Sequence, residues 1–332
     1  MEKLTAFRHR SRGQGRPQIL LIGNGLERKS GQAAWGELLN QLTVGNSLPV
    51  SQEQRERIPF PLLYQILSTP LINGFPDLSR DAILDEEHRL KDAMGQLTHR
   101  TNEFLDTLPS LNADHIFTTN YSYCIEQAFF PSADFSKGYA RSRRRFRLKE
   151  PNTSRPSREN HYRLRTGYLA KSLGGNTGLW HIHGECAVPG GIVLSHDRYG
   201  RLLQRVEVIC RSQNYAFLTK SPTAEREFTS WPELFLYGDV YILGLTLGES
   251  EFDLWWLLRR KQRELYADGR IFFYEPRPAE GFQEGRHLLL QATGAELCDL
   301  GFTKSNDYDA FYRAAIKDIR QRIAASRPLG SA

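Results

Sequence analysis

Two short motifs carry the side chains best suited to catalysis: TTNY at residues 118–121 and HIHG at residues 181–184. A histidine can accept a proton near neutral pH, and the glycine after His183 would leave the imidazole facing an open cleft. The Asn120 amide offers a donor and an acceptor in one plane, which suits a sugar hydroxyl or a water molecule. The alternatives are a turn or helix cap for Asn120 and a structural hydrogen bond for His183.

The histidines of the second motif, His181 and His183, are spaced i and i+2, so on a strand they would point the same way. This spacing admits a metal pair, but no third ligand lies near in sequence, although an Asp or Glu elsewhere could supply one. We therefore expect no bound metal. The four cysteines are not paired as CxxC, and we expect reduced, mostly buried thiols rather than a zinc site.

Glycine turns follow two other apolar runs. Gly23-Asn24-Gly25 would let the backbone approach a pyrophosphate, and the small residues of GLTLG (244–248) would admit an adenosine. Glu275, after the apolar IFFY run, could accept hydrogen bonds from ribose hydroxyls. A tight turn and a solvated strand end are the alternatives. The full GxGxxG spacing and an acidic residue about 20 positions later are absent, which disfavours an ordinary dehydrogenase.

Each motif ends or follows a short apolar run that predicts a strand. The predicted strands are 18–25, 115–121, 179–185, 239–249, 270–276 and 295–302, with 190–195 beside the third. Helices are predicted at 33–42, 81–108, 123–129, 198–220, 251–265 and 307–325, the last with Asp307 as N-cap. This alternation predicts an α/β fold. We expect a Rossmann-like parallel sheet with helices on both faces. Such sheets bind ligands beyond the carboxyl ends of their strands, where the motifs fall.

The remaining segments are polar. We interpret 1–17 as a flexible leader, 18–325 as the main domain, 131–178 as a basic loop insertion and 326–332 as a tail. No apolar run reaches the roughly 20 residues that cross a bilayer, and no secretory signal is evident, so we expect a cytoplasmic protein. The net charge is +6, and six of the 44 Lys and Arg lie in Arg141–Lys149. Such a run is usually a solvated loop; a nucleic-acid-binding module is the alternative.

The order of GNG, TTNY, HIHG, VYILGLTLGE and a late FYE strand resembles the sirtuin (silent information regulator) family over about residues 18–302. It looks closest to the divergent bacterial branch whose members hydrolyse NAD⁺ in anti-phage defence. The resemblance also implies that a smaller helical module at about 44–110, with the loop at 131–178, accompanies the sheet. The resemblance implies that Asn120 positions the nicotinamide ribose and water, and that His183 is the general base. The cofactor-binding residues that it implies are Gly23, Asn24, Gly25, Thr118, Thr119, Gly184, Gly244, Thr246 and Glu275.

The chain departs from the family pattern in two ways. The family often has Asp two residues after the motif Asn, where this chain has Ser122, so we expect different nicotinamide contacts and slow or conditional turnover. The zinc ribbon of protein-deacylating members is absent. The resemblance therefore implies hydrolysis of NAD⁺ to nicotinamide and ADP-ribose. In that reaction His183, neutral near pH 7, takes a proton from water or a ribose hydroxyl.

An unrestrained NAD⁺ hydrolase would harm its own cell. The resemblance therefore further implies a homo-oligomer, or control by a partner such as an ATPase or nuclease of the same defence system. Two other functions would use the same pocket. One is that of a protein deacylase or ADP-ribosyl transferase, and the other is that of a sensor that binds NAD⁺ or ADP-ribose without turnover.

Overall fold

The structure, a computed structural model, describes only part of the chain. The described residues are 5–6, 16–31, 35–135, 145–147, 162–218, 228, 230–264, 269–278, 281–282, 284–303 and 307–327. Most of the predicted leader, most of the tail and the middle of the predicted basic loop lie outside them. Of the basic run Arg141–Lys149, only the backbone of Arg145–Arg147 is described.

Within these residues, nine strands form one sheet. The strands of this sheet are β1 (Thr5–Ala6), β2 (Gln18–Ile22), β5 (His115–Thr118), β6 (Arg145–Arg147), β7 (Thr166–Ser172), β8 (Gly175–His181), β9 (Asp239–Leu243), β10 (Ile271–Tyr274) and β11 (Ala295–Leu297). Their order is β1-β6-β7-β8-β5-β2-β9-β10-β11, and a separate hairpin joins β3 (Leu71–Ile72) to β4 (Phe75–Pro76). All neighbours in the large sheet are parallel except β6–β7 and β7–β8, so the predicted parallel sheet is confirmed.

The helices connect the strands and cover the sheet. They are α1 (Asn24–Glu27), α2 (Trp35–Leu42), α3 (Gln52–Arg57), α4 (Phe60–Ser68), α5 (Arg80–Gly95), α6 (Cys124–Phe129), α7 (His196–Leu218), α8 (Trp231–Tyr237), α9 (Phe252–Arg263), α10 (Gly285–Ala292) and α11 (Tyr308–Ser326). The predicted cap of α11 is confirmed, because the Asp307 carboxylate accepts a hydrogen bond from the Ala310 amide at 2.9 Å. No helix in the described part of the chain has the length and apolar character needed to span a membrane.

Alternate residues of the central strand β2 face opposite sides of the sheet. Ile19 and Leu21 join a core with α7, α8, α9 and α10, whereas Leu20 and Ile22 join a second core with α6 and α11. All four side chains are fully buried, because β2 lies in the middle of a sheet that is covered on both faces. The expected α/β fold with helices on both faces is therefore confirmed.

A third core holds the smaller helical module together. It is formed by buried side chains of α2, α4 and α5, and it also takes in Tyr121, Ile192 and Leu194 from the carboxyl edge of the sheet. The bounds expected for this module, about 44–110, stay a prediction. Helix α2 belongs to this core, while Leu105 and Leu108 pack in the second core of the sheet. The module thus lies beside the strand ends that carry the motifs.

Three local predictions are wrong. The loop expected up to residue 178 instead ends in the strands β7 and β8, whose many polar residues include the exposed Lys171, and which lie toward the edge of the sheet. Residues 190–195 form no strand, because a 3₁₀ turn at Pro189–Gly191 precedes them and only Val193 bonds to the neighbouring backbone of His183. The helix expected over 81–108 ends at Gly95, and the Asn102 side chain then binds the backbone amides of Phe104 and Leu105.

Candidate functional site

The predicted motifs meet at one edge of the sheet. In the register of the parallel strands, Ile22 lies beside both Thr118 and Leu243, and these pair in turn with His181 and Tyr274. Each of these five residues is at the carboxyl end of its strand. The residues that follow them therefore emerge side by side, as ligand-binding residues of parallel sheets do.

The backbone of Asn120 is held by two hydrogen bonds. Its backbone amide donates to Thr118 Oγ1 at 3.0 Å, and its backbone carbonyl bonds to His181 Nδ1 at 2.8 Å. The residue is 4% exposed, and its side-chain amide completes no hydrogen bond of standard geometry within the described residues, although it lies close enough to Glu27 to lower the pKa of that carboxyl. A buried amide that lacks full hydrogen bonding costs free energy, which a ligand that pairs with it would recover.

His181 holds this backbone in place rather than facing a ligand. Its Nε2 bonds to Glu126 on α6 at 2.9 Å while its Nδ1 bonds to Asn120. Burial disfavours the imidazolium, but the charge and hydrogen bond of Glu126 outweigh burial, so the pKa of His181 is raised. The buried Thr119 donates its backbone amide to Ile22 at 3.4 Å, which also ties the motif to β2.

His183 lies against acidic residues that follow a different strand. Its Nε2 is 2.9 Å from Oδ2 of the fully buried Asp253, and its Nδ1 is 3.9 Å from Glu251. Burial lowers the pKa of His183, but Asp253 and Glu251 more than offset this and raise it. At a given pH a larger fraction of His183 is thus protonated than of a free imidazole. The neutral side chain near pH 7 that the sequence suggested stays a prediction.

The two histidines do not converge as the i, i+2 spacing predicted. Strand β8 ends at His181, so the alternation of side chains does not extend to His183. The His181 ring contacts α6 on one face of the sheet, and the His183 ring contacts α9, which packs on the other face. The pairing with α9 was missed because Asp253 is 70 positions away, although the run of acids after the LTLG turn was a visible signal.

The ligand atoms of His183, Glu251 and Asp253 all lie within 4.8 Å of one another, a spacing that a metal ion could bridge. The expectation of no metal stays a prediction. Burial raises the pKa of Glu251 to about 7. The four cysteines, all within the described residues, form no disulfide, and three of them are buried, as expected.

Three glycines let these turns pack closely. A Cβ on Gly23 would lie 2.5 Å from the Gly244 carbonyl, and one on Gly25 would lie 2.8 Å from it. Gly184 has a φ of +97°, and a Cβ there would lie 2.4 Å from the Gly191 carbonyl. The glycines therefore hold backbone against backbone around the site, in addition to any role with a ligand.

An open cleft of about 560 Å³ lies beyond β2, β9 and β10. It brings together four of the predicted cofactor-binding residues with three cations, and its walls include Gly25, Gly244, Thr246, Glu275, Arg28, Lys29 and Arg286. Asn120 and His183 do not line this cleft, and they are only 4% and 2% exposed. The cleft and the catalytic candidates are therefore neighbouring parts of one edge, with protein between them.

The remaining predicted residues have definite places. The Glu275 carboxylate is paired with Arg286 at 2.9 Å and bonded to the buried His287, so it is not a free acceptor for a ribose. Thr246 is exposed and its carbonyl accepts a hydrogen bond from Arg286 at 2.6 Å. Asn24 is half-buried at the start of α1.

Comparison with known families agrees with this geometry. The model of the SIR2-like domain matches residues 114–295, more than half of the chain, and the match contains Asn120, His183, Gly244 and Glu275. No curated protein matches the chain. SIR2-like domains are NAD-using enzymes, and a cleft at the carboxyl edge of a parallel sheet is where such a nucleotide would bind. The chain belongs to the SIR2-like domain family.

Proposed function

We propose that this protein is an NAD⁺ glycohydrolase that cleaves the bond between nicotinamide and ribose. The observation that carries the proposal is the buried amide of Asn120, which completes no hydrogen bond of standard geometry within the described residues, at the strand end beside the one that leads to His183. The open cleft on the same edge would take the rest of the dinucleotide, with Arg28 and Arg286 near its phosphates.

The proposed reaction needs little from the protein besides orientation and one proton acceptor. The carbon–nitrogen bond breaks with its electron pair leaving on the pyridinium nitrogen, which gives neutral nicotinamide and an oxocarbenium-like ribose. Water adds to the ribose carbon and loses a proton to His183, so the products are nicotinamide, ADP-ribose and one proton. Asn120 holds the water or the ribose hydroxyl.

Asp253 would set the working tautomer of His183. With the Nε2 proton directed at Asp253, the lone pair is on Nδ1, the nitrogen that faces Glu251. A base held in this way contributes roughly 10²–10⁴-fold to a reaction rate. The carboxylate of Asp253 would also stabilise the imidazolium that forms after proton transfer.

The burial of Asn120 and His183 supports conditional activity. Both side chains are covered in this conformation, so NAD⁺ cleavage requires a rearrangement that connects them to the cleft. We propose that self-assembly or a partner, such as an ATPase or nuclease of an anti-phage defence system in the cytoplasm, favours the open conformation. An active monomer that needs no trigger would contradict this part of the proposal.

The decisive assay is nicotinamide release from NAD⁺ by the purified full chain, followed by chromatography of the nucleotides over a series of protein concentrations. We expect release by the wild type and loss of at least about 100-fold in Asn120→Ala and His183→Ala. His88→Ala, which changes an exposed histidine on α5, is the matched control and should keep full activity. Full activity in both site variants would refute the assignment.

The same burial also favours a second candidate, a sensor that binds NAD⁺ or ADP-ribose without turnover. In that case the wild type would bind the nucleotide tightly at every protein concentration and release no nicotinamide. Calorimetry run beside the release assay distinguishes the two functions.

A further inference from the structure

Three side chains that could ligate a metal ion meet where the start of α9 packs against the HIHG motif. One ligand atom from each of His183, Glu251 and Asp253 lies within 4.8 Å of the other two. Glu251 is the N-cap residue of α9 and Asp253 lies in its first turn, whereas His183 follows the end of β8. The packing of α9 therefore brings two carboxylates to one imidazole from 70 positions away in sequence.

Two carboxylate oxygens of this cluster lack hydrogen bonds. They are Glu251 Oε2, which is 3.9 Å from His183 Nδ1, and Oδ1 of the fully buried Asp253, and neither has a hydrogen-bond partner within the described residues. In the part of the chain that the structure describes, both carboxylates form ion pairs with His183 alone. Two buried carboxylates thus share at most one positive charge, and such an excess of buried negative charge is costly. A divalent cation would balance the charge and occupy the free lone pairs.

The spacing and the ligand types suit Zn²⁺. Zinc binds imidazole nitrogen and carboxylate oxygen at about 2.0–2.2 Å, so two ligands of one tetrahedral ion lie about 3.4 Å apart. Small rotations of the three side chains would bring them to that spacing. Mg²⁺ and Ca²⁺ prefer sites made of oxygen ligands and suit this set less well. The Glu251 side chain is 17% exposed and gives the ion a path from solvent.

The ligands come from two separate motifs, which is why the sequence predicted no metal. That expectation rested on the lack of a third ligand near His181 and His183 in sequence. In the fold His181 bonds to Glu126 instead, and only His183 belongs to the cluster. The other two ligands are the acids that follow the turn after β9.

We propose that His183, Glu251 and Asp253 bind a divalent metal ion of the zinc type, and that the bound ion switches off the cleavage of NAD⁺. The binding of the ion stands on these three ligands alone. Only its effect on turnover rests on the proposed role of His183 as the base.

Occupancy removes the proton acceptor whichever ring nitrogen ligates the ion. A neutral imidazole has one lone pair and one N–H. A metal ion on Nδ1 of His183 takes the lone pair directly, and one on Nε2 leaves the ring proton on Nδ1. In both cases no nitrogen remains to accept the proton that water loses. The added positive charge also opposes the oxocarbenium-like ribose.

Calorimetric titration of the full chain with Zn²⁺, after treatment with EDTA and without nucleotide, tests the site directly. We expect a site for one ion per chain. Glu251→Gln should weaken the Kd by at least about tenfold, because even residues that only orient a zinc ligand contribute roughly 10–100-fold. Glu249→Gln, the same change at an exposed residue of the same turn, should stay within about twofold. Equal affinity of Glu251→Gln and the wild type overturns the site.

Replacing the carboxylate by another zinc ligand separates ligation from charge. Glu251→His loses the same charge as Glu251→Gln but keeps a ligand, so its affinity for Zn²⁺ should exceed that of Glu251→Gln by about tenfold. Equal affinity of the two variants would show that negative charge alone attracts the ion, and would overturn the ligand set. Displacement of Zn²⁺ by an equal concentration of Mg²⁺ would overturn the class of metal. His183→Ala and Asp253→Asn should also lose the site, and the partly exposed Glu251 decides if these buried variants fail to fold.

Nicotinamide release from NAD⁺ then tests the effect on turnover. Zn²⁺ at ten times its measured Kd should slow the wild type and Glu249→Gln by about tenfold, as mass action requires, and EDTA should restore the rate. Glu251→Gln should slow by about twofold or less, relative to its own rate without metal. Unchanged or faster release by the wild type with Zn²⁺ would overturn the switch. If the wild type releases no nicotinamide even without metal, the switch falls with the proposed hydrolase, and calorimetry alone decides the metal site.

Discussion

Asp253 determines both the orientation and the protonation of His183 from a helix that follows a different strand. The carboxylate is fully buried and its Oδ2 is 2.9 Å from the ring. Such a partner fixes which nitrogen carries the lone pair, and its charge raises the pKa of the histidine. At the scale of single residues, the base in the proposed reaction is therefore a pair of side chains.

The first prediction concerns this pair. In Asp253→Asn the pKa of His183 should fall, because the charge that stabilises the imidazolium is gone. A general base works in its neutral form, so the acid limb of the rate against pH should move to lower pH. The plateau should drop by roughly 10–100-fold, less than the roughly 10²–10⁴-fold that a general base contributes. The measurement is the rate of nicotinamide release between pH 5 and 9. An acid limb at the same pH in Asp253→Asn and the wild type would contradict the pairing of Asp253 with His183 as the base.

The second prediction concerns the stability cost of the Glu27 charge. Burial raises the pKa of Glu27 from 4.5 to about 7, against the opposing effects of Ser122 and Asn120. The folded state then binds more protons than the unfolded chain between these values, so this group makes stability fall as pH rises from about 4.5 to about 7. Glu27→Gln should remove roughly 3 kcal/mol of that fall.

Urea unfolding of the wild type and Glu27→Gln at pH 5, 6, 7 and 8 measures this difference. The variant should gain relative stability up to about pH 7 and then keep a constant difference. Glu251, whose pKa is also raised to about 7 by burial, contributes a similar fall in both proteins and cancels in the comparison. A difference in the free energy of unfolding between the two proteins that does not change with pH would contradict the raised pKa of Glu27.

At the scale of elements, two turns must pack against each other before the site can form. The turn after β2 and the turn after β9 bond to each other through the Gly23 amide with the Leu243 carbonyl, and the Gly25 amide with the Gly244 carbonyl. A side chain at Gly23 would meet the Gly244 and Leu245 backbone at 2.5–2.6 Å. The glycines of the GNG motif are thus explained by the packing of protein on protein.

The third prediction follows from this contact. Gly23→Ala should destabilise the fold by about 1–3 kcal/mol, because the added methyl group separates two backbone segments. It should also weaken the binding of ADP-ribose, since the cleft is formed by the same turns. Thermal unfolding and calorimetry check the two effects.

Gly36→Ala is the matched control for this substitution. Gly36 is exposed within α2, where an added Cβ meets nothing within 4 Å, so alanine there should stabilise the helix by up to about 1 kcal/mol. Equal stability of Gly23→Ala and the wild type would show that the two turns can separate freely.

At the scale of the whole molecule, the carboxyl edge of the sheet carries an open basic cleft next to a covered pair of catalytic candidates. The helical module packs at this same edge through Tyr121, Ile192 and Leu194. Tyr121 follows Asn120 directly, and its hydroxyl donates to the Val193 carbonyl at 2.9 Å. A shift of the module would therefore move the segment that carries Asn120, which gives a route by which assembly or a partner could open the site.

The fourth prediction concerns the cleft. Arg28 lines it and forms no ion pair within the described residues, whereas Lys29 is paired with Asp309. Arg28→Ala should weaken the binding of ADP-ribose by about tenfold, as expected for one lost charge-assisted contact to a phosphate, and should leave thermal stability unchanged. Arg57→Ala, an exposed arginine paired with Glu53 on α3, should not affect binding. Unchanged affinity in Arg28→Ala would place the phosphates elsewhere.

Much of this organisation could be predicted from local sequence alone. Buried parallel strands read as apolar runs, and glycine or polar residues mark their ends, so the α/β fold and the edge that carries the motifs followed from the pattern. The polar hairpin β7–β8 was mistaken for a loop because its many polar residues do not give an apolar run. Segments with that composition are decided by their neighbours in the sheet and not by their own propensity.

The sequence by itself determined the buried parallel strands, the order of the motifs at their ends, and Asn120 and His183 as the candidates for chemistry. Only the tertiary structure decided which acidic side chains lie beside these motifs. Asp253 meets His183 across 70 positions and Glu27 meets Ser122 across 95, contacts that depend on which strands become neighbours. The physical reason is that a side-chain pair across strand ends leaves no periodicity in the chain, whereas a buried strand does. The sheet order brings these side chains together. Burial then raises the pKa of Glu27, whereas the neighbouring acids raise the pKa of His183 against the effect of burial.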